Sequence, residues 1–511
     1  MVNRTTRLAA SAGLALLLLL LTVPDTAAAI APTVKTAVDV ASLPAPYSQW
    51  DVALRPVDGD SRVLALDFTS PLLHRRVSNR VYLPDTYRAD GPASPVLYAL
   101  HGTVLPPIDD HAVDPVTRQE SLLHMVAAGG GYLQTGLFDV ESQLHNAHFV
   151  VVAPDTNPDN SWCETCGWID GRNNLIPNVH PVTGETLPAD SHLHRELYPL
   201  VEALFNVRTD RAGRGVTGFS MGGYAALVQA MLHPDQYAFV ASVSGVYETL
   251  FEPRLRTIWE SLGYMRDQGY GTGATDEIWW RNYDPSQIAT NLAGFGGKLL
   301  LSYGDACLSA ASLASPDCRA YPPVRNPAAA TIEALLVANN QIAVKDLPAN
   351  GIPAQFIQLP GVHGANNHSV YADYVVPAAN ELFARNISTP ASFSYRTVLP
   401  HFAVWGYDVS VDRPNDEFLS LGEARTDGRS FVLTGTGRVI LQTPAAFAPG
   451  SRHQVTATAQ DGGVVEQTVT AGPGGQLEIT IDLGGDQQVD QTTLTDVLAI
   501  GAVRSTRVQI A

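Results

Sequence analysis

Lysine is almost missing from this chain. Only Lys35, Lys298 and Lys345 occur in 511 residues, and arginine carries the rest of the positive charge. That imbalance reads as a bias of the genome. With 32 basic against 50 acidic residues the net charge is −18, which argues against nucleic acid as a partner. Charge is sparse at 16%, while 45% of residues are hydrophobic, so the chain is not disordered and can build sizeable cores. Its length predicts two or more domains. Long apolar runs are also scarce. One stretches from Leu8 to Val23, after Arg4 and Arg7 and before Ala27, Ala28, Ala29 and Ala31. That basic, apolar, small-residue order predicts a secretory signal over residues 1–31, with an uncleaved anchor as the alternative. No later segment reaches the ~20 residues of a span, so no membrane span is expected in the mature chain. No cysteine follows the run, which excludes a lipoprotein reading. Only four cysteines occur, and in an exported chain they are expected to pair, in order as Cys163–Cys166 and Cys307–Cys318. A redox or half-zinc reading of Cys163-x-x-Cys166 is the alternative. Zinc needs a second close pair, and Cys307 and Cys318 are too far apart to supply it.

What is present falls into two textures. No internal repeat is visible, and the only biased tract is a Pro- and Ala-rich leader over 32–60. From there to about 387, apolar strand-like runs such as "SPVLYALHG", "AHFVVVAPD", "YAFVASVSG" and "KLLLSYGD" alternate with stretches at helical spacing, including "NPAAATIEALLVANNQIAV". Asn326 and Pro327 mark the start of that last helix. The alternation predicts a mostly parallel sheet covered on both faces. From 388 to 511, "RVILQT", "HQVTATAQDGGVVEQTVT" and "QLEITIDLGG" alternate at period two, which predicts an all-β, sandwich-like domain with a turn at Asp461-Gly462-Gly463.

Chemistry concentrates in "GVTGFSMGGYAAL", where Ser220 sits between Gly218 and Gly222. Gly-x-Ser-x-Gly is short and its context decides. Here a strand runs in and a helix runs out, the setting of a nucleophile elbow. A serine hydroxyl is a weak nucleophile and needs a histidine base oriented by a carboxylate. These arrive in the order Ser, acid, His. The base is His363, in a Gly-x-His turn after the strand "QFIQL", with His368 as the alternative. The acid is Asp305, ending "LLLSYG", or Glu333 in the following helix. An oxyanion hole needs two backbone N–H groups, expected from Met221 and from Thr103 in "HGTVLPP".

The quoted stretch, with "HPDQY" after it, the early strand-Gly loop and the run Glu333 to Ile352, resembles the esterase family that holds S-formylglutathione hydrolases, feruloyl esterases and secreted mycolyltransferases. The resemblance covers roughly residues 50–387. It implies an α/β-hydrolase fold over 32–387 and a serine esterase or acyltransferase acting on carboxylic esters. In the mycolyltransferases the acid is a glutamate seven residues before an Asn-Gln pair. Glu333 precedes Asn340-Gln341 by that spacing, so the resemblance selects Glu333 over Asp305. The mycolyltransferases carry an aspartate before the early glycine and an arginine soon after. His101 and "TVLPP" stand here instead, which leans toward plain ester hydrolysis.

Three functions follow in order. The first is an exported esterase, secreted or held in the cell envelope, cleaving a small-molecule or lipid ester, with cell-envelope glycolipid or polysaccharide among the candidate substrates. The second is an acyltransferase to a sugar or lipid alcohol. The third is a binding protein carrying a relic hydrolase. No cofactor and no metal is expected. "DTNPDNS" (155–161) resembles the start of a calcium loop but lacks its glycine and glutamate. His192-x-His194 reads as two surface histidines rather than a metal pair. Trp162 and Trp168 either line an acyl or sugar site or pack around the first cysteine pair.

Overall fold

A computed structural model describes residues 39–57, 60–103, 145–156, 162–163, 166–170, 187–249, 256, 270–271, 276–484, 491–492 and 503–511. The expected signal segment lies outside the described residues, as do "VLPP" and most of "DTNPDNS". Nine strands form one sheet: β1 (Ala53–Val57), β2 (Asp60–Ser70), β3 (Arg75–Tyr82), β4 (Val96–Leu100), β5 (Val150–Ala153), β6 (Arg214–Phe219), β7 (Phe239–Val243), β8 (Lys298–Gly304) and β9 (Gln355–Leu359). Their spatial order is β1-β2-β3-β5-β4-β6-β7-β8-β9. The strands from β5 to β9 pair in parallel, as expected. β1, β2 and β3 pair antiparallel, β3 onto β5. That edge departs from a uniformly parallel reading, because alternation reports which face a residue takes and not which way its neighbour runs.

Burial of both faces is visible along single strands. In β4, Val96, Tyr98 and Leu100 join one apolar core, and Leu97 and Ala99 join the other. β5 divides its residues in the same way. The chief covering helices are α1 (Ala189–His192), α2 (Tyr198–Leu204), α3 (Met221–Leu232), α4 (Glu277–Asn282), α5 (Pro327–Ala349) and α6 (Val376–Phe383), with a π-turn over Leu193–Leu197 joining α1 to α2. α3 is buried along its whole length. α5 starts after Asn326, with Pro327 at its first position, but the Asn326 side chain makes no cap bond and donates instead to Pro322 O. Among the described residues, no helix is long and apolar enough to cross a membrane.

After α6 the described chain is β only. Strands β10 (Ser392–Thr397), β11 (His401–Val404), β12 (Tyr407–Asp412), β13 (Leu419–Arg425), β14 (Ser430–Gly435), β15 (Arg438–Gln442), β16 (Arg452–Ala459), β17 (Val464–Thr470), β18 (Glu478–Asp482) and β19 (Arg504–Ile510) make a six-stranded and a four-stranded antiparallel sheet. Residues of both sheets, among them Leu421, Phe431, Val409 and Leu441, share one core. The Asp461 carboxylate accepts from Gly463 N at 3.0 Å, closing the expected turn. This part is fastened to the helical part by specific bonds. Asn282 Oδ1 accepts from Thr397 Oγ1 at 2.9 Å and Val398 N at 2.8 Å. Asn291 Oδ1 accepts from Arg396 N at 2.8 Å. Val398 and Phe418 enter the core of the helical part.

Candidate active site

Ser220 stands between β6 and α3 with φ 55° and ψ −118°, a backbone conformation rare outside glycine and costing of order 1–3 kcal/mol. The turn is held because Ser220 N donates to Val243 O at 2.9 Å and Ser220 O accepts from Tyr224 N at 2.9 Å. It is possible only with glycine beside it. A Cβ on Gly222 would stand 2.0 Å from Leu100 O, and one on Gly218 2.3 Å from Gly222 O. Met221 opens α3, so its N–H is among those left free by the helix. Thr103 follows Gly102 at the end of β4 and is half-buried.

His363 and Glu333 come to Ser220 from separate elements. His363 lies beyond β9, with His363 N bonded to Ala329 O at 3.2 Å. Its Nε2 is 3.0 Å from Ser220 Oγ, and its Nδ1 is 2.7 Å from Glu333 Oε2. Glu333 projects from α5 and is fully buried. Its other oxygen accepts from Ser244 Oγ at 3.0 Å and from Gly304 N. A carboxylate so supplied accepts and does not donate, so Nδ1–H of His363 points at Glu333 and Nε2 is free to accept from Ser220 Oγ–H. The close approach of Glu333 requires Gly304, where a Cβ would meet Glu333 Cγ at 2.8 Å.

The alternatives from the sequence lie elsewhere. Asp305 accepts from Cys307 N at 2.8 Å and Gly361 N at 3.1 Å, and also from Ser312 Oγ. It shapes the loop under His363 and no bond joins it to the ring. His368 is exposed. It lies beside Asp317, whose carboxyl is raised by burial and eased down by that histidine.

Ser244 and Asn339 carried no signal in the sequence. Ser244 follows β7 and is held at φ 46°. Asn339 Oδ1 accepts from Tyr247 N at 2.7 Å, and Asn340 Nδ2 donates to Gly245 O at 3.0 Å, pinning the loop that carries Ser244 to α5. His101, beside the expected oxyanion loop, has Nδ1 2.7 Å from Gly102 O and Nε2 3.3 Å from Asp155 Oδ2. Asp155 also accepts from Cys163 N at 2.9 Å and Trp162 N at 3.2 Å, which ties the start of the segment 155–161 to the first cysteine pair. Cys163 pairs with Cys166 and Cys307 with Cys318. Trp162 and Trp168 are buried and meet edge to face at 5.4 Å, and Trp168 Nε1 donates to His101 O at 3.2 Å. Among the described residues they pack against each other, and Trp168 packs against His101. His192 and His194 are not the surface pair expected. His192 is fully buried, with Nδ1 2.6 Å from Glu196 Oε2, and His194 Nε2 is 2.9 Å from Tyr237 Oη. Two residues apart on a helix point to different sides, which is why the two meet different partners.

Comparison with known proteins finds similarity to esterases and acyltransferases. Residues 70–294 match the family described as "Putative esterase". The chain is 28% identical over 230 residues to Esterase Rv1288 of Mycobacterium tuberculosis, covering 44% of this chain and 42% of that protein. It therefore spans well under half the length of that curated relative. It is 32% identical over 104 residues to the diacylglycerol acyltransferase/mycolyltransferase Ag85B of Mycobacterium avium, covering 20% of this chain and 31% of that one. A solved structure of Staphylococcus aureus fluorophosphonate-binding serine hydrolase F aligns over 63% of this chain and 98% of its own, at 15% identity and a TM-score of 0.41. The resemblance to the esterase family drawn from the sequence is borne out by the family match and the curated relatives.

Proposed function

We propose that this esterase-related chain is an exported serine hydrolase that cleaves carboxylic esters through an acyl-serine intermediate. The observation that carries the reading is the hydrogen-bonded line from Ser220 Oγ to His363 at 3.0 Å and from His363 to Glu333 at 2.7 Å. Ser220 Oγ attacks the ester carbonyl while His363 Nε2 takes its proton. Glu333 holds the ring in the right tautomer and stabilises the imidazolium. The oxyanion that forms is met by the N–H groups of Met221 and Thr103. The ester C–O bond then breaks and His363 returns the proton to the leaving alkoxide. Water, deprotonated by the same histidine, attacks the acyl-serine and releases the acid.

The nucleophile turn on a largely parallel sheet supports an α/β-hydrolase fold for residues 32–387, and the shared two-sheet core supports a β-sandwich accessory domain for 388–511. Export rests on the N-terminal pattern and agrees with two disulfide pairs. The substrate is a small-molecule or lipid ester, with cell-envelope glycolipid or polysaccharide in the same class. The intact Ser, His and acid line argues against a relic domain. A specific observation keeps acyl transfer as the second reading: Glu333 and Asn340 are both buried on α5, and Glu333 precedes Asn340-Gln341 by the spacing that the resemblance to mycolyltransferases implies. Water is the favoured acceptor, since no charged acceptor-binding pair flanks Gly102. Ser220→Ala is expected to fold and to lose p-nitrophenyl ester cleavage by several orders of magnitude; activity within tenfold of the native chain would overturn the proposal. With a medium-chain donor and millimolar trehalose, free acid is the expected product, and acyl-trehalose would restore the transferase reading.

A further inference from the structure

The far end of α3 opens on a cavity of about 690 Å³. α3 spans Met221 to Leu232, which puts this end about 18 Å along the axis from the nucleophile turn at 1.5 Å per residue. Asp190, His194 and His233 line one side of the cavity, and Tyr395, His401 and Phe402 of the two-sheet part line the other. Asp190 and His194 come from the continuous helical stretch of α1 and the π-turn after it, and His233 is the residue that follows α3. Each offers one ligand atom, and the three atoms lie within 4.8 Å of one another. His233 Nε2 is 2.9 Å from Asp190 Oδ1 and 3.1 Å from Oδ2. The rings of His194 and His233 are 4.0 Å apart between centroids. The Asp190 and His233 side chains keep 19% and 25% exposure, so solvent reaches them.

An Asp–His pair is complete without a third group. A second imidazole beside it adds a nitrogen donor that the pair does not require. Two imidazoles and one carboxylate make the donor set that first-row divalent ions take, with positions left open. We propose that Asp190, His194 and His233 bind a divalent transition-metal ion of the zinc class, with water from the cavity in the open position. Metal–nitrogen bonds of about 2.0–2.1 Å put tetrahedral ligand atoms about 3.3 Å apart, so the His233–Asp190 contact of 2.9 Å opens slightly and the wider separations close from at most 4.8 Å, both by side-chain rotation. Histidines that ligate metals give their other ring nitrogen to an outer partner. Tyr237 Oη stands at that place for His194, 2.9 Å from Nε2, and is itself 3.0 Å from Tyr198 Oη. The proposal departs from the metal-free expectation of the sequence, and it takes His194 without His192. The i,i+4 pair Asp190 and His194 is the one that shares a helix face.

The test titrates ZnCl₂ into tag-free, EDTA-stripped protein in a calorimeter. One Zn²⁺ per chain with a micromolar or tighter Kd is expected. His194→Gln and Asp190→Asn should each weaken binding by about tenfold or more, while still cleaving a soluble p-nitrophenyl ester at the native rate, which reports their fold without testing the site. If Asp190→Asn does not fold, His194→Gln decides alone. No saturable Zn²⁺ binding by the native chain, or undiminished affinity in His194→Gln, overturns the proposal and leaves an ion pair only.

Discussion

Replacing Glu333 with glutamine changes one oxygen of a fully buried side chain into an NH₂ group, and the surroundings limit what the amide can do. Its oxygen position near Gly304 accepts from a backbone N–H and from Ser244 Oγ at 3.0 Å. Turning the NH₂ toward Gly304 sets donor against donor, at about 1–3 kcal/mol for the buried unsatisfied group. The amide therefore directs its NH₂ at His363 Nδ1, 2.7 Å from the atom it replaces. Nδ1 then accepts and Nε2 carries the proton, which faces Ser220 Oγ instead of receiving from it. This is the wrong tautomer for a general base, and the lost stabilisation of imidazolium adds to it. A change of this type costs about 10⁴ in turnover, equivalent to about 5.5 kcal/mol of barrier. Glu333→Gln should thus lose about three to four orders of magnitude in kcat on a p-nitrophenyl ester, with KM moved little, because no substrate contact is removed. Asp305→Asn is the control. Its bonds go to Cys307 N, Gly361 N and Ser312 Oγ, so it should lower thermal stability and change kcat by less than about tenfold. A Glu333→Gln variant within tenfold of the native kcat, or the reverse ranking of the two, would refute the assignment of the acid.

Gly222→Ala should abolish activity and lower the melting temperature sharply, because its Cβ would sit 2.0 Å from Leu100 O, a backbone atom that cannot yield; thermal melting beside ester turnover checks this. A chain ending at Asn386 should keep ester turnover, since every bond of the Ser220–His363–Glu333 line lies N-terminal to that point. The same chain should melt at a lower temperature, because Asn282 and Asn291 lose their partners on Thr397, Val398 and Arg396. An unchanged melting temperature would show that the interface contributes nothing.

The strands that lead to the site were legible because parallel strands buried on both faces are continuous apolar runs, as β4 and β5 are. The elbow was legible because a sharp strand-to-helix turn admits only glycine at Gly218 and Gly222. The choice between Asp305 and Glu333 was not open to pattern reading. Both follow β8, and only the three-dimensional path of α5 brings one of them against His363. The Asn339–Asn340 pair staples α5, which carries Glu333, to the loop that holds Ser244. Ser244 was missed because its role depends on a partner far along the chain, Glu333; His101 was singled out, but its contact with Asp155 was not legible. The antiparallel edge was missed because strand direction leaves no trace in alternation. The two histidines around Leu193 were misjudged because burial at a π-turn depends on what packs over it, not on polarity.

The most direct test of the account is to trap the acyl group. Native protein mixed briefly with an activated short-chain ester and quenched in acid should gain the mass of one acyl group, and peptide mapping should locate it on Ser220, within the segment between Arg214 and Arg254. The adduct should build up in a His363→Ala variant only far more slowly, since the hydroxyl then has no base. Hydrolysis of the ester with no adduct on Ser220, or an adduct on another residue, would contradict the account.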